Sequence, residues 1–238
     1  MIMKKTWFKT LFVLAFSLSA LAVSAQGSFT TGADVVSSYI WRGVAQGSNE
    51  PNIQPSVTYA NGKVSIGAWG SGNFSGTLKE LDLSVAYAIS SKLSLTLTDY
   101  NWTFSKDYFN YKKGTDHIYE AALAYTGGES FPISASVNTM IGGADKKLNA
   151  DGTVSEDNAY STYVELGYPL ASNAKVFCGA SLFDSPAVYA TTGFGITNVG
   201  IKVSKSVAIT DKFSLPVYGI IGFNPDASKA FLVAGITL

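Results

Sequence analysis

Apolar and polar residues alternate with a period of two along most of the chain from Phe29 onward. In the cleanest stretch Leu93, Leu95 and Leu97 stand against Ser94, Thr96, Thr98, Tyr100 and Trp102. Just before it, Leu81, Leu83, Val85, Tyr87 and Ile89 stand against Glu80, Asp82, Ser84, Ala86 and Ala88. Successive side chains of a strand point to opposite faces, so each stretch predicts a strand with one apolar and one wet face. Twelve such stretches follow one another, and the connections between them run long, short, long, short. Asn61-Gly62 and Ser90-Ser91 read as tight hairpin turns, whereas 103–115 and 142–158 are the longest loops. A soluble sandwich has no reason to sort its connections by length. Outer-membrane barrels do, with an even number of antiparallel strands, short periplasmic turns and longer external loops. The pattern therefore predicts an all-β fold: a transmembrane antiparallel up-and-down β-barrel of about 12 strands.

The first stretch, FTTGADVVSSYIWRG at 29–43, reads as one long strand. Phe29, Ala33, Val35, Tyr39 and Trp41 fall on its lipid face, and Asp34, Val36, Ser38 and Arg42 on its inner face. The same alternation aims Val64, Ile66, Leu81, Leu83, Val85, Leu93, Leu95, Leu97, Val164, Leu166, Val199 and Ile201 at lipid. An arginine at Leu95 should then cost far more than one at Thr96.

Residues 1–25 carry Lys4, Lys5 and Lys9, an apolar run and the small-residue site Val23-Ser24-Ala25, the signature of a cleaved signal peptide. Residues 26–238 are then the mature barrel, 213 residues long. Of the 17 basic side chains, losing those three leaves 14 against 17 acidic ones, a slightly negative chain that does not point to nucleic acid. After the signal no window of eighteen consecutive apolar residues occurs, so crossing a membrane requires a barrel. The single cysteine, Cys178, makes no intramolecular disulfide and alternates with Val176 and Ala180 as a small apolar residue.

Inward parity lines the lumen with Arg42, Glu80, Asp82, Glu120, Glu165 and Lys202, together with Trp69, Tyr100, Trp102 and Tyr163. Arg42 is the only arginine, and a guanidinium fork binds a carboxylate bidentately as a lysine cannot. It is expected to pair with Asp82 or Glu80, leaving the other carboxylates to make the pore weakly cation-preferring, the alternative being an arginine that reaches up to solvent or lipopolysaccharide at the external rim. His117 shares the parity of Tyr119, Leu123 and Tyr125 and is expected to face outward near the external rim, with no matching serine to make it catalytic. Glu80 and Asp82 lie about 7 Å apart on one face, without the Asp-His pair that a protease would add. The acidic loop Asn149, Asp151, Glu156, Asp157 lacks the ligand spacing of a calcium loop. No catalytic residue, metal or cofactor is expected, and the chain reads as no enzyme.

Ser37-Ser38-Tyr39-Ile40-Trp41-Arg42-Gly43, followed by Gln46 and by 51–57, resembles the start of a family of bacterial outer-membrane barrels, the TorF-type outer-membrane proteins, whose members begin with an S-x-Y-x-[WF]-R-G strand. The likeness is best over roughly 33–102. It implies an outer-membrane location in a Gram-negative cell and carries no substrate. Expected partners are outer-membrane lipid and lipopolysaccharide, the barrel-assembly machinery and small solutes. The first functional expectation is a passive porin-like channel for small hydrophilic solutes. The alternative is a non-conducting structural or surface-adhesion barrel, its lumen filled by Trp69, Tyr100, Trp102, Tyr163 and Tyr218, acting through external loops. An outer-membrane hydrolase is the third and weakest reading.

Overall fold

A computed structural model describes residues 27–103, 108–111 and 115–238. The expected signal peptide lies outside the described residues, as do parts of the loop 103–115. Among the described residues there are sixteen strands and no helix. These are β1 (Ser28–Val36), β2 (Ile40–Trp41), β3 (Val44–Ala45), β4 (Asn52–Asn61), β5 (Val64–Asn73), β6 (Lys79–Ala88), β7 (Leu93–Asn101) and β8 (His117–Tyr125). They continue as β9 (Ser134–Gly143), β10 (Lys146–Leu148), β11 (Val154–Asn158), β12 (Thr162–Ala171), β13 (Ala174–Ser181), β14 (Gly195–Thr210), β15 (Phe213–Asn224) and β16 (Lys229–Thr237). Twelve of them form a closed antiparallel barrel in the order β1-β16-β15-β14-β13-β12-β9-β8-β7-β6-β5-β4. Closure leaves no free sheet edge, which a β-structure within a bilayer requires.

Register shows how the alternation becomes two surfaces. Across the outer face Ile66 pairs with Val85 and Val85 with Leu97, while Leu166 pairs with Cys178 and Cys178 with Val199. These side chains are solvent-facing though apolar: Ile66 is 51% exposed, Val85 51% and Leu166 55%. All twelve positions expected at lipid lie on this face. Across the inner face run Thr58, Gly67, Ser84, Thr98 and Glu120, and one step on Ser56, Trp69, Asp82, Tyr100 and Ile118.

Several strand limits differ from those expected. The glycine-rich stretch 70–77 has the composition of a loop, yet Gly70, Ser71 and Gly72 continue β5 by pairing with Leu81, Glu80 and Lys79. β14 runs to Thr210, so its turn into β15 is only Asp211-Lys212. The long loop 142–158 folds its own hairpin, β10–β11. The largest correction concerns the first stretch. It is not one strand from 29 to 43: β1 leaves the wall after Val36, and 37–49 turns into the barrel, carrying the small hairpin β2–β3. Consequently β1 meets β16 at three positions only, Asp34 to Val36, and Lys229–Leu232 of β16 pair with β15 alone.

Candidate functional site: an inner hairpin and the passage beside it

The reversal between β2 and β3 is made by two left-handed residues, Arg42 at φ 51° and Gly43 at φ 80°. A left-handed arginine is unfavourable on its own, so its surroundings must hold it. The Arg42 guanidinium grips Glu120 bidentately, Nη1 to Oε2 at 2.5 Å and Nη2 to Oε1 at 3.0 Å, and Nη1 also donates to the Tyr189 hydroxyl at 2.6 Å. It lies 4.4 Å from the centre of the Trp41 ring and 5.0 Å from that of Tyr163. Tyr100 donates to Glu120 Oε1 at 3.1 Å, completing the carboxylate's shell.

On the hairpin's other side Thr197 Oγ1 donates to the Arg42 carbonyl and Asn224 Nδ2 to the Gly43 carbonyl, both at 3.1 Å. A Cβ on Gly43 would run into the Thr197 carbonyl, so glycine is required there for space as well as for φ. The Tyr39 hydroxyl donates to Glu80 at 3.4 Å. Its contacts reach β14 and β15 on one side and β6 and β8 on the other. Because β14 and β6 stand six strands apart in the ring of twelve, the hairpin crosses the lumen. The segment 184–191 folds in against it: Tyr189 stacks on Trp41 with centroids 5.5 Å apart. Asp145, Ser161 and Ser185 anchor the segment through buried hydrogen bonds. Tyr100, Ile118, Met140, Tyr163, Val188 and Tyr189 form the buried cluster, with Trp41 and Trp102 packed on it.

The ten residues expected along the lumen thus fall into three groups. Arg42, Glu120, Tyr100, Trp102 and Tyr163 meet around the hairpin tip. Glu80, Asp82 and Trp69 sit beneath Tyr39, where Glu80 Oε2 and Asp82 Oδ1 have no hydrogen-bond partner. Glu165 and Lys202 lie on the β12–β14 wall. Glu165 accepts from the Tyr163 hydroxyl at 2.6 Å and from Asn198 at 3.1 Å, and the Lys202 ammonium lies 4.1 Å from the Tyr218 ring centre. Arg42 therefore pairs with Glu120, not with the expected Asp82 or Glu80, because the chain has already left the wall where a strand would have carried it toward them. Tyr39 and Trp41, placed at lipid by parity, are inside: Tyr39 is buried and Trp41 half-buried in the lumen. Val188 and Tyr189 went unnoticed, although an apolar Ala187-Val188-Tyr189 within a loop was a signal for them.

His117 is on the outer side of β8 but not exposed there. Its ring bonds Asp99 through Nδ1 and the Tyr108 carbonyl through Nε2, each at 2.6 Å, and the Tyr111 ring covers it at 4.5 Å. Among the described residues no serine hydrogen-bonds that ring. In the β10–β11 tip the Thr153 hydroxyl and amide donate to Asp151 and hold its carboxyl below its ordinary value. Among the described residues no group of three or more potential metal ligands comes together.

Beside the hairpin three cavities follow one another along the β14–β16 side. The first, about 560 Å³, fills the notch where β1 has left β16, between Ser38, Asn49 and Phe231. The second, about 220 Å³, shares Ile40, Gly43 and Phe231 with it and is faced by Glu165, Lys175 and Lys202. The third, about 330 Å³, shares Lys202 with the second and opens among Asp34, Tyr218 and the turn Ser172-Asn173 at the short-turn end.

No protein-family model matches the chain, and no curated protein matches it. Among solved structures it is similar in fold to the NanC porin in its rhombohedral crystal form, with a TM-score of 0.50 and 8% sequence identity. The match covers 87% of this chain and 98% of that one. The class defined by fold is a closed twelve-stranded antiparallel β-barrel, an architecture similar to that structure's.

Proposed function

We propose that this protein is an outer-membrane barrel that acts as a restricted channel for small hydrophilic solutes, without catalysis. The string of three cavities supports this reading, because neighbouring cavities share lining residues from the long-loop end to the short-turn end, beside the hairpin that crosses the lumen. Selectivity follows from which charges border that string. Glu120 is bound to Arg42, and Glu80 and Asp82 lie under the hairpin, so three of the four carboxylates behind the expected cation preference stand away from the passage. Lys175 and Lys202 border its waist against Glu165 alone, which favours a weak anion preference.

In planar bilayers the purified barrel should give small, steady conductance steps with reversal potentials of the anion-preferring sign. Replacing 38–48 by a short Gly-Ser linker should enlarge the steps several-fold. Silence from both folded proteins would sink the channel and favour the structural alternative. Orientation has its own check: protease added to intact cells should cut within 103–115 and 142–158 and spare Asn61-Gly62 and Ser90-Ser91, which lie at the opposite end.

A further inference from the structure

The middle cavity holds three features that the fold does not need. Lys175 on β13 and Lys202 on β14 are direct cross-strand partners on the inner face, an arrangement in which like charges repel. Neither makes an ion pair among the described residues. Next to them Asn198 is 7% exposed and its Oδ1 has no hydrogen-bond partner. The orientation of this amide is set by its neighbours. The Tyr163 proton is given to Glu165, so both the Tyr163 oxygen and Glu165 Oε2 accept, and Nδ2 serves them at 3.1 Å each. That leaves a buried acceptor aimed away from them, which is costly unless something donates to it. Phe177, Ile220 and Phe231 supply an apolar side to the same space.

We propose that this cavity binds small hydroxylated monocarboxylates. The carboxylate sits between the Lys175 and Lys202 ammonium groups, a hydroxyl donates to Asn198 Oδ1, and the short carbon body lies against Phe177 and Ile220. Every charged group facing the space fits this class. The Arg42 guanidinium is spent on Glu120, Asp34 lies in the next cavity bonded to Tyr218, and Glu165 offsets one of the two lysines, leaving one net positive charge for one carboxylate. The volume of about 220 Å³ lies below the roughly 300–1,000 Å³ of sites for drug-sized ligands, so the solute has few carbons. The inference rests on the reading that solutes enter the lumen, and it names what the waist of the passage selects.

Isothermal titration of the detergent-solubilised barrel with glycerate, propionate, glycerol and inorganic phosphate tests it. Glycerate should bind at least tenfold more tightly than propionate, which lacks the hydroxyl, and than glycerol, which lacks the charge. Phosphate should bind more weakly than glycerate. Lys175→Gln and Lys202→Gln should each weaken glycerate by tenfold or more. Asn198→Leu should erase the preference for glycerate over propionate while leaving propionate unchanged, with circular dichroism confirming each fold. Absence of glycerate binding, equal binding of glycerol or phosphate, or unchanged glycerate affinity in the lysine variants would overturn the site. Binding in detergent does not need conduction. A barrel that binds glycerate but is silent in bilayers rejects only the channel, and one that conducts but ignores glycerate rejects only the site.

Discussion

Replacing Glu120 by alanine should release the inner hairpin and open the lumen. Glu120 is 3% exposed and the Arg42 side chain 13%, so the variant leaves a desolvated guanidinium with only the Tyr189 hydroxyl and two aromatic faces. Removing one partner of a buried ion pair costs about 3–5 kcal/mol, because the other charge stays buried without compensation. At about 1.4 kcal/mol per factor of ten, that shifts the docking equilibrium by roughly two to three and a half orders of magnitude. The hairpin has somewhere to go, since its chain continues into the wall only at its two ends, Ser37 and Asn52, and can swing out at the long-loop end. Single-channel steps should grow toward those of the hairpin-deleted barrel, and hydrogen exchange at 39–46 should accelerate. Glu120→Gln, which keeps one acceptor, should fall between. Arg42→Lys should resemble the alanine variant more than the wild type, because a lysine cannot make the two parallel bonds. Unchanged conductance and exchange in Glu120→Ala would show that the hairpin is held by its backbone contacts to Thr197 and Asn224 instead.

Replacing Leu97 by arginine should destabilise the barrel by about 2–4 kcal/mol, the cost of a cation on the lipid face near the bilayer midplane. Leu97 is the fifth of nine residues in β7, is 49% exposed on the outer side and lies between Val85 and Ala121 of the adjoining strands. Thr96, its immediate neighbour, points the other way between Ala86 and Ala122. An arginine there stays on the inner face of the barrel, away from lipid, and should cost much less. Denaturant titration of refolding in phospholipid vesicles reads both variants, and equal losses at the two positions would contradict a lipid-facing outer wall.

Both predictions use parity, and parity is where the sequence was most legible. Leu93 to Thr98 shows why: each residue's side is set by its nearest neighbours, and the apolar row Leu93, Leu95, Leu97 meets its first charge only at Asp99, near the strand's end. The same logic failed at Tyr39 and Trp41. Their apolar alternation continues that of β1 without a break, and Ser37-Ser38 is a weak stop signal. Aromatic residues destined for a lumen cluster look the same, in one dimension, as residues destined for a membrane girdle. Asn198 and Lys175 stand at the opposite parity to Val199 and Val176, but nothing in one dimension shows that they share a chamber.

What the sequence determined by itself was therefore the all-β barrel: the number of wall strands, the side the apolar wall residues take and the end at which the long loops gather. Those properties rest on interactions between adjacent residues and on tight turns such as Asn61-Gly62. Only the tertiary structure decided that 37–49 turns inward, that Arg42 meets Glu120, and that three cavities line up along β14–β16. The bonds that hold the hairpin join Arg42 and Gly43 to residues 78, 147, 155 and 181 positions away. A left-handed Arg42 is locally unfavourable and becomes stable only when those distant groups surround it, which no reading of neighbouring residues can reveal.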